Sequence, residues 1–259
     1  MARAAAVWDP GQYMRFAGER LRPALDLLGQ VRLEAADRVV DLGCGAGNVT
    51  AILRERFPGA DVLGIDGSAS MLENARATVP RCRFEQGDFF QWEPEQPVDL
   101  LYSNAALQWV DQHDTLFPRL LGFVKPGGVF AVQMPAMHDT PLRTAPNELA
   151  NAAPWAEHLR GVSSAPGILS AETYWDLLRP RVASLDIWQT TYLHALSGEH
   201  AVMEWASGSS LRAFLDRLPG ELKEPFRQAY SEAVRPHYVR RADGTTLLPF
   251  QRLFMVATL

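Results

Sequence analysis

The sequence predicts an α/β protein built on a doubly wound, seven-stranded sheet, and three observations carry that expectation. Apolar runs alternate with helix-spaced segments as far as Val132, the βαβ rhythm of a mostly parallel sheet. Within Val39-Val40-Asp41-Leu42-Gly43-Cys44-Gly45-Ala46-Gly47-Asn48, an apolar run containing an acid leads into glycines at alternate positions, and a helix pattern follows. Glycine there lets backbone come close to a ligand. Val62-Leu63-Gly64-Ile65 then ends at Asp66, nineteen residues past Gly47, where an acid can accept both hydroxyls of a ribose. The last two features together imply a nucleoside-containing cofactor across the first two strands.

Taken in order, the elements start with a helix from about Gly11 to Leu28, with Leu21, Leu25 and Leu28 on one face. The glycine loop follows the first strand. Its G-x-G-x-G spacing puts Asn48 where a dinucleotide fold wants a third glycine, and Asp41 would repel a pyrophosphate but accept from an ammonium group. Asp66 closes the second strand. It has a rival reading as the N-cap of a Ser68 to Ala77 helix. Gln133-Met134-Pro135 ends the βαβ rhythm. Residues 136–170 are rich in Pro, Ala and Asn, with a helical patch near Leu142 to Leu149. Ala171 to Leu178 reads as a helix that Pro180 ends, Val182 to His194 as the sixth strand and Leu247 to Thr258 as the seventh. Between those strands, Trp205, Leu211, Phe214, Leu215, Leu218, Phe226 and Tyr230 recur at helical spacing.

The expected organisation is an N-terminal helix and cofactor-binding core over 1–134, helical lid insertions over 135–170 and 196–244, and the last helix and strands of the sheet over 171–195 and 245–259. Two insertions following the fifth and sixth strands would cover a cofactor pocket.

Composition narrows the function classes. With 47% hydrophobic residues in 259, the chain can bury a full core. A net charge of −5 gives no basic footprint for nucleic acid. Two cysteines without C-x-x-C spacing suggest neither a disulfide framework nor a metal site, and Cys44 reads as packing. The apolar start Met1 to Val7 is broken by Trp8-Asp9-Pro10 before a signal sequence could form, and no run approaches membrane-spanning length. These features lead us to expect a cytoplasmic protein without membrane or nucleic-acid partners; a monomer is expected as well, though composition does not decide it.

The D-L-G-C-G-x-G run resembles the first motif of class I S-adenosylmethionine-dependent methyltransferases, whose sheet is Rossmann-like. The resemblance implies that Asp41, Gly43, Gly45 and Gly47 hold the methionine part of S-adenosylmethionine, and Asp66 with Gly67 the ribose. In Arg83-Phe84-Glu85-Gln86-Gly87-Asp88-Phe89, it assigns Asp88 to the adenine amino group and Phe89 to the ring. A bland reading makes Asp88 a turn residue. Val98 to Ala105 resembles the fourth strand, whose end, Asn104 and Ala105, faces the methyl group, and Leu120 to Val132 resembles the helix, turn and fifth strand that follow.

A narrower likeness runs along the whole chain. Trp8 to Tyr13, Phe16, Glu19-Arg20, Arg22-Pro23, Asn104 to Trp109, Gln133-Met134-Pro135, Ile187 to His194 and Leu248 to Phe254 resemble the trans-aconitate 2-methyltransferase family. Gln189 stands where that family carries an arginine after the tryptophan. The likeness implies monomethyl esterification of a small tricarboxylate by S-adenosylmethionine.

A tricarboxylate needs cations and hydroxyl donors. Arg20, Arg22, Arg143, Arg212 and Arg252 are candidates, Arg212 foremost, with Tyr13, Tyr174, Tyr192 and His194 as hydrogen-bonding partners. Each arginine could equally be a solvated surface residue and each tyrosine a core residue; Trp188 and Trp205 read as core. No catalytic acid or base is expected, because a carboxyl group of pKa about 4 is already ionised at neutral pH. Positioning in a dry pocket would supply the catalysis. The rival functions are methylation of another carboxylate, such as a carrier-bound malonyl thioester, and a non-catalytic S-adenosylmethionine-binding module.

Overall fold

The computed structural model describes residues 17–163 and 167–259, with side chains from Leu21 onward. Tyr13 and the side chain of Arg20 therefore lie outside the described residues. The chain divides into two compact units. Of the described residues, one comprises 20–135, 168–190 and 252–259; the other comprises 17–19, 136–163, 167 and 191–251.

The first unit holds the βαβ succession. Helix α1 (Ala17–Leu28) precedes β1 (Arg38–Leu42), α2 (Asn48–Arg56), β2 (Asp61–Asp66), α3 (Ala69–Thr78), β3 (Arg83–Gln86) and β4 (Val98–Asn104). Then come α4 (His113–Leu121), β5 (Val124–Pro135) and, later in the chain, α6 (Ala171–Leu178). The seven-stranded sheet has the order β3-β2-β1-β4-β5-β7-β6, with β6 at Ser184–Ser197 and β7 at Thr245–Thr258. β1 to β5 pair in parallel, and β7 runs antiparallel to β5, with Val129 opposite Thr258 and Pro135 opposite Arg252. The α/β fold class expected from the sequence is what the chain adopts.

Strand β4 is buried at every position from Val98 to Ser103, because helices cover both faces of a parallel sheet. Leu42, Ile65, Leu100, Leu101 and Val132 are fully buried, each contributing about 1.5–3 kcal/mol. Two buried hydroxyls tie neighbours together: Tyr102 donates to the Ala24 carbonyl at 2.5 Å, and Ser103 to the Leu42 carbonyl at 2.8 Å. Lys125-Pro126-Gly127-Gly128, within the segment Leu120 to Val132 expected to hold a helix, a turn and the fifth strand, lies inside β5. Val98 opposes Val124 but Leu100 opposes Val129, so these residues bulge out of the ladder, with Gly127 at φ 78°.

The second unit is mainly helical: α5 (Pro141–Ala150), α7 (Ala201–Ser207), α8 (Arg212–Arg217) and α9 (Gly220–Val234). Their apolar faces meet in one cluster including Leu142, Trp155, Trp205, Phe214, Phe226, Tyr230 and Leu248. The helical spacing seen between the sixth and seventh strands resolves into three helices because Gly208 and Pro219 flank the breaks. Among the described residues, no helix is long and apolar enough to cross a membrane.

Candidate functional site

In the order of the sheet, β1 stands between β2 and β4, so consecutive connections leave it toward opposite edges. In open α/β sheets such a switch point makes a crevice at the carboxyl ends of the strands. The residues assigned to the cofactor lie in the last positions of those strands or just beyond them.

The turn after β1 is fixed by backbone. The Gly43 and Cys44 amides both donate to the Ile65 carbonyl, at 2.7 and 2.9 Å. A side chain at Gly43 (φ +83°) would put its Cβ 2.1 Å from that of Ala106, so packing alone requires glycine there. Gly45 (φ +54°) differs, since a Cβ built on it meets no atom of the described residues within 4 Å. That open space over the loop fits a ligand approaching the backbone. Cys44 packs with Leu72, Ala75 and Phe84, and burial pushes its thiol up, so it is inert packing.

Asp66 accepts the Gly45 amide at 2.8 Å on one carboxylate oxygen and the Ser68 amide at 2.8 Å on the other. The N-cap of α3 is Ser68, whose hydroxyl accepts from the Met71 amide, so Asp66 is not the cap. Each Asp66 oxygen keeps a second lone pair for a ribose hydroxyl. Asp41 is 1% exposed and accepts the Thr50 hydroxyl at 2.6 Å. Burial raises its pKa from 3.8 to about 7; the Thr50 hydrogen bond opposes this and the nearby Asp66 adds to it. A buried acid held this way gains most from a cation, and the ammonium of a methionine moiety is one.

Gly67 follows Asp66 in the same turn. Asp88 is exposed and accepts the Phe90 amide at 2.8 Å, which is turn geometry, while Phe89 lies half-buried with its ring edge 3.4 Å from a Cβ built at Gly43. At the end of β4, Ala105 adopts φ +53°, uncommon for a residue with a Cβ and concentrated at functional sites. Its amide donates to the Gln133 carbonyl at 2.8 Å, and Gln108 Nε2 donates to its carbonyl at 2.7 Å. The Asn104 Oδ1, Gln108 Oε1 and Gln133 Nε2 atoms are buried without a hydrogen-bond partner among the described residues.

The described substrate candidates fall in both units. Arg252 is 4% exposed and donates from Nη1 to Gln133 Oε1 at 3.2 Å. Tyr174 is fully buried; its hydroxyl contacts His113 Nδ1 and accepts the Leu169 amide at 3.3 Å. His113 Nε2 in turn contacts the Leu107 carbonyl at 3.0 Å, so Tyr174 braces the turn carrying Gln108. Arg22 is exposed beside Asp26. In the helical unit, Arg212 heads α8 and reaches Asp216 at 3.4 Å, Tyr192 is buried on β6, and burial lowers the pKa of Arg143. His194 is 3% exposed, stacked on Trp205 at 4.6 Å and edge-on to Phe250. Trp188 stacks on Phe254 at 4.8 Å. The sequence reading passed over Gln133 and Gln108 as site residues. The signal for Gln133 was a lone polar side chain in the apolar run Val129 to Met134. Among the described residues, no group of three or more His, Cys, Asp or Glu could hold a metal ion.

Residues 39–128 match the family described as "Methyltransferase domain". The trans-aconitate 2-methyltransferase of Paracidovorax citrulli is 46% identical over 253 residues, covering 96% of this chain and 97% of that protein. That of Azoarcus sp. is 44% identical over 250 residues, covering 96% and 98%. Among solved structures, Haemonchus contortus phosphoethanolamine N-methyltransferase 2 in complex with S-adenosyl-L-methionine superposes with a TM-score of 0.58 at 16% identity, covering 96% of this chain and 56% of that one. The YcgJ protein of Bacillus subtilis gives 0.58 at 15%, covering 91% and 97%. The structural likeness is one of fold, whereas the sequence identity spans nearly both chains: this protein belongs to the trans-aconitate 2-methyltransferase family.

Proposed function

We infer that the chain is an S-adenosylmethionine-dependent O-methyltransferase that converts trans-aconitate to its monomethyl ester. The observation that carries this is the 46% identity over 96% of the chain to a protein of that name. The glycine loop, Asp41 and Asp66 fit the cofactor the reaction needs.

Bound there, S-adenosylmethionine supplies an electrophilic methyl group on a sulfonium sulfur. The protein's part is to hold and to orient. Asp66 and Gly67 are proposed to take the ribose, Asp41 and the loop glycines the methionine part, Asp88 and Phe89 the adenine, and Asn104 with Ala105 the neighbourhood of the methyl. Tyr13, Arg20, Tyr174, Tyr192, His194, Arg212 and Arg252 remain the proposed substrate set. Within it, Arg252 has the strongest structural support, being a buried cation held at the end of β5. Tyr174 has the least, since its hydroxyl is engaged by His113 and Leu169. A carboxylate nucleophile arrives ionised, so no residue need remove a proton. Attack of an anion on a cation cancels charge, and a water-excluded pocket favours that change. The helical segments after β5 and β6 are the proposed lid, a reading supported by their positions in the sequence.

We further propose a cytoplasmic monomer. The two free cysteines support a reducing compartment, and light scattering should give 28.8 kDa. The deciding assay is methyl transfer from labelled S-adenosylmethionine to a panel of di- and tricarboxylic acids. A base-labile product from trans-aconitate is expected; a base-stable product, or turnover of none, would overturn the assignment.

A further inference from the structure

Gln133, Asn104 and Arg252 come together through the register of the sheet. Asn104, the last residue of β4, is opposite Gln133 on β5, and Arg252 on β7 is opposite Pro135, two residues along from Gln133. Opposed residues, and residues two apart on one strand, share a face, so all three side chains stand on one side of the sheet at the carboxyl ends of β4 and β5.

Gln133 is fully buried. Its Oε1 accepts from Arg252, whose guanidinium can only donate, and this fixes which end of the carboxamide is oxygen. The Nε2 end then points away from Arg252, buried and without an acceptor among the described residues. Leaving a buried donor unmade costs about 1–3 kcal/mol, so a ligand acceptor placed against it would recover that cost. Gly43, Gly45 and Asp66 mark the same edge of the sheet as the cofactor's, and the acceptor therefore belongs to whatever reacts beside it.

We propose that Gln133 is a specificity residue: its Nε2–H donates to a carboxylate of the substrate that does not react, with Arg252 supplying the charge. This rests on the carboxylate methyltransferase reading above. The seat suits a spectator group on chemical grounds. A carboxylate oxygen that accepts an amide hydrogen bond beside a guanidinium has its lone pairs drawn back and is a poor nucleophile. Holding one carboxylate this way leaves another, less engaged one to attack the methyl. Gln133 would thus require a substrate with at least two carboxylates and select which of them is esterified.

The test uses Gln133→Glu and Gln133→Met in the full chain, with steady-state kinetics on the parent's best acid from a mono-, di- and tricarboxylate panel. Calorimetry with S-adenosylhomocysteine and thermal melting accompany it. Gln133→Glu keeps shape and partner but faces the substrate with an acceptor. Its KM should rise at least about thirtyfold, and that of Gln133→Met about tenfold. In both variants kcat should change by less than about threefold and S-adenosylhomocysteine affinity by less than about twofold. KM within about twofold of the parent in both folded variants would overturn the proposal. So would a parallel loss of cofactor affinity, which would mark Gln133 as merely structural. A parent whose best acid is not trans-aconitate defeats the substrate assignment but leaves Gln133 to be judged on that acid. A parent that turns over monocarboxylates as well as tricarboxylates defeats the Gln133 proposal alone, and one that turns over no acid defeats both.

Discussion

The carboxyl ends of β1 and β2 and those of β4 and β5 belong to one sheet edge but are finished differently. On the β1–β2 side both acids already hold donors from the chain: Asp66 takes two backbone amides and Asp41 a hydroxyl. On the β4–β5 side, three carboxamide atoms, on Asn104, Gln108 and Gln133, are buried without partners among the described residues. The first region is set before any ligand arrives. The second keeps buried amide atoms unmade, which is the pattern expected if a shared cofactor is held by a rigid loop and the variable substrate by amides that discriminate.

The sharpest way to break this comparison is at Gly43, where the two regions touch. Gly43→Ala forces a methyl to within 2.1 Å of Ala106 at φ +83°, and should cost about 3 kcal/mol or more from overpacking and left-handed strain together. Gly45→Ala, with no described residue within 4 Å, should cost only the strain, about 1–2 kcal/mol, yet weaken cofactor binding at least about tenfold. Equal melting temperatures for the two variants would refute the packing argument.

Asp66→Ala comes next. Two charge-assisted bonds of about 1.5–3 kcal/mol each are at stake, so S-adenosylmethionine affinity should fall at least tenfold by calorimetry. The fold should also soften, because the Gly45 and Ser68 amides lose their acceptor. Asn104→Ala is the counterpart on the other side. Removing an unpartnered acceptor should leave the melting temperature within a few degrees while turnover drops about tenfold. If Asn104→Ala unfolded as readily as Asp66→Ala, the two regions would not differ as described.

Asp41 adds a pH signature. Its folded pKa of about 7 exceeds the ordinary 3.8, so the protonated form is the one the ligand-free fold favours. That stability is whole below about pH 3.8, is lost as pH rises through about 7, and stays lost above. Asp41→Asn should therefore raise the melting temperature at pH 8 and leave it unchanged near pH 4. An ammonium bound beside Asp41 pulls the acid into its charged form, so binding near pH 6 should release a proton. Calorimetry in buffers of different ionisation enthalpy reads that proton directly, and zero release would remove Asp41 from the ammonium site. The smallest effect is expected at His194, packed between Trp205 and Phe250. His194→Gln should leave the shape of the pH–kcat/KM profile unchanged; loss of an acid limb would restore a general base.

The glycine loop and Asp66 were legible because their signals are local: a strand end, a tight turn and an acid at fixed spacing. Strands β6 and β7 were legible as long apolar runs, with both ends of β6 and the start of β7 displaced by two or three residues and the end of β7, Thr258, as expected. The β5 bulge was not legible, since Lys125-Pro126-Gly127-Gly128 has turn chemistry and only pairing with β4 keeps it in the sheet. Ser68 displaced Asp66 as helix cap for a similar reason: both residue types can cap, and geometry chose. Gln133 was hidden more deeply. Its meaning depends on Arg252, more than a hundred residues away, occupying one end of its amide.

The position of β7 has a consequence for how the chain reaches this state. β7 follows every other described strand in sequence yet lies between β5 and β6 in the sheet, and its Thr258 pairs with Val129. Until it arrives, β5 has an open ladder on one side and β6 has no neighbour to join. Contacts closed over such a distance form slowly, because the loop must be ordered before any pairing rewards it. During synthesis the first five strands can assemble while the sixth waits, and that interval is when an exposed strand edge is most open to association with another chain.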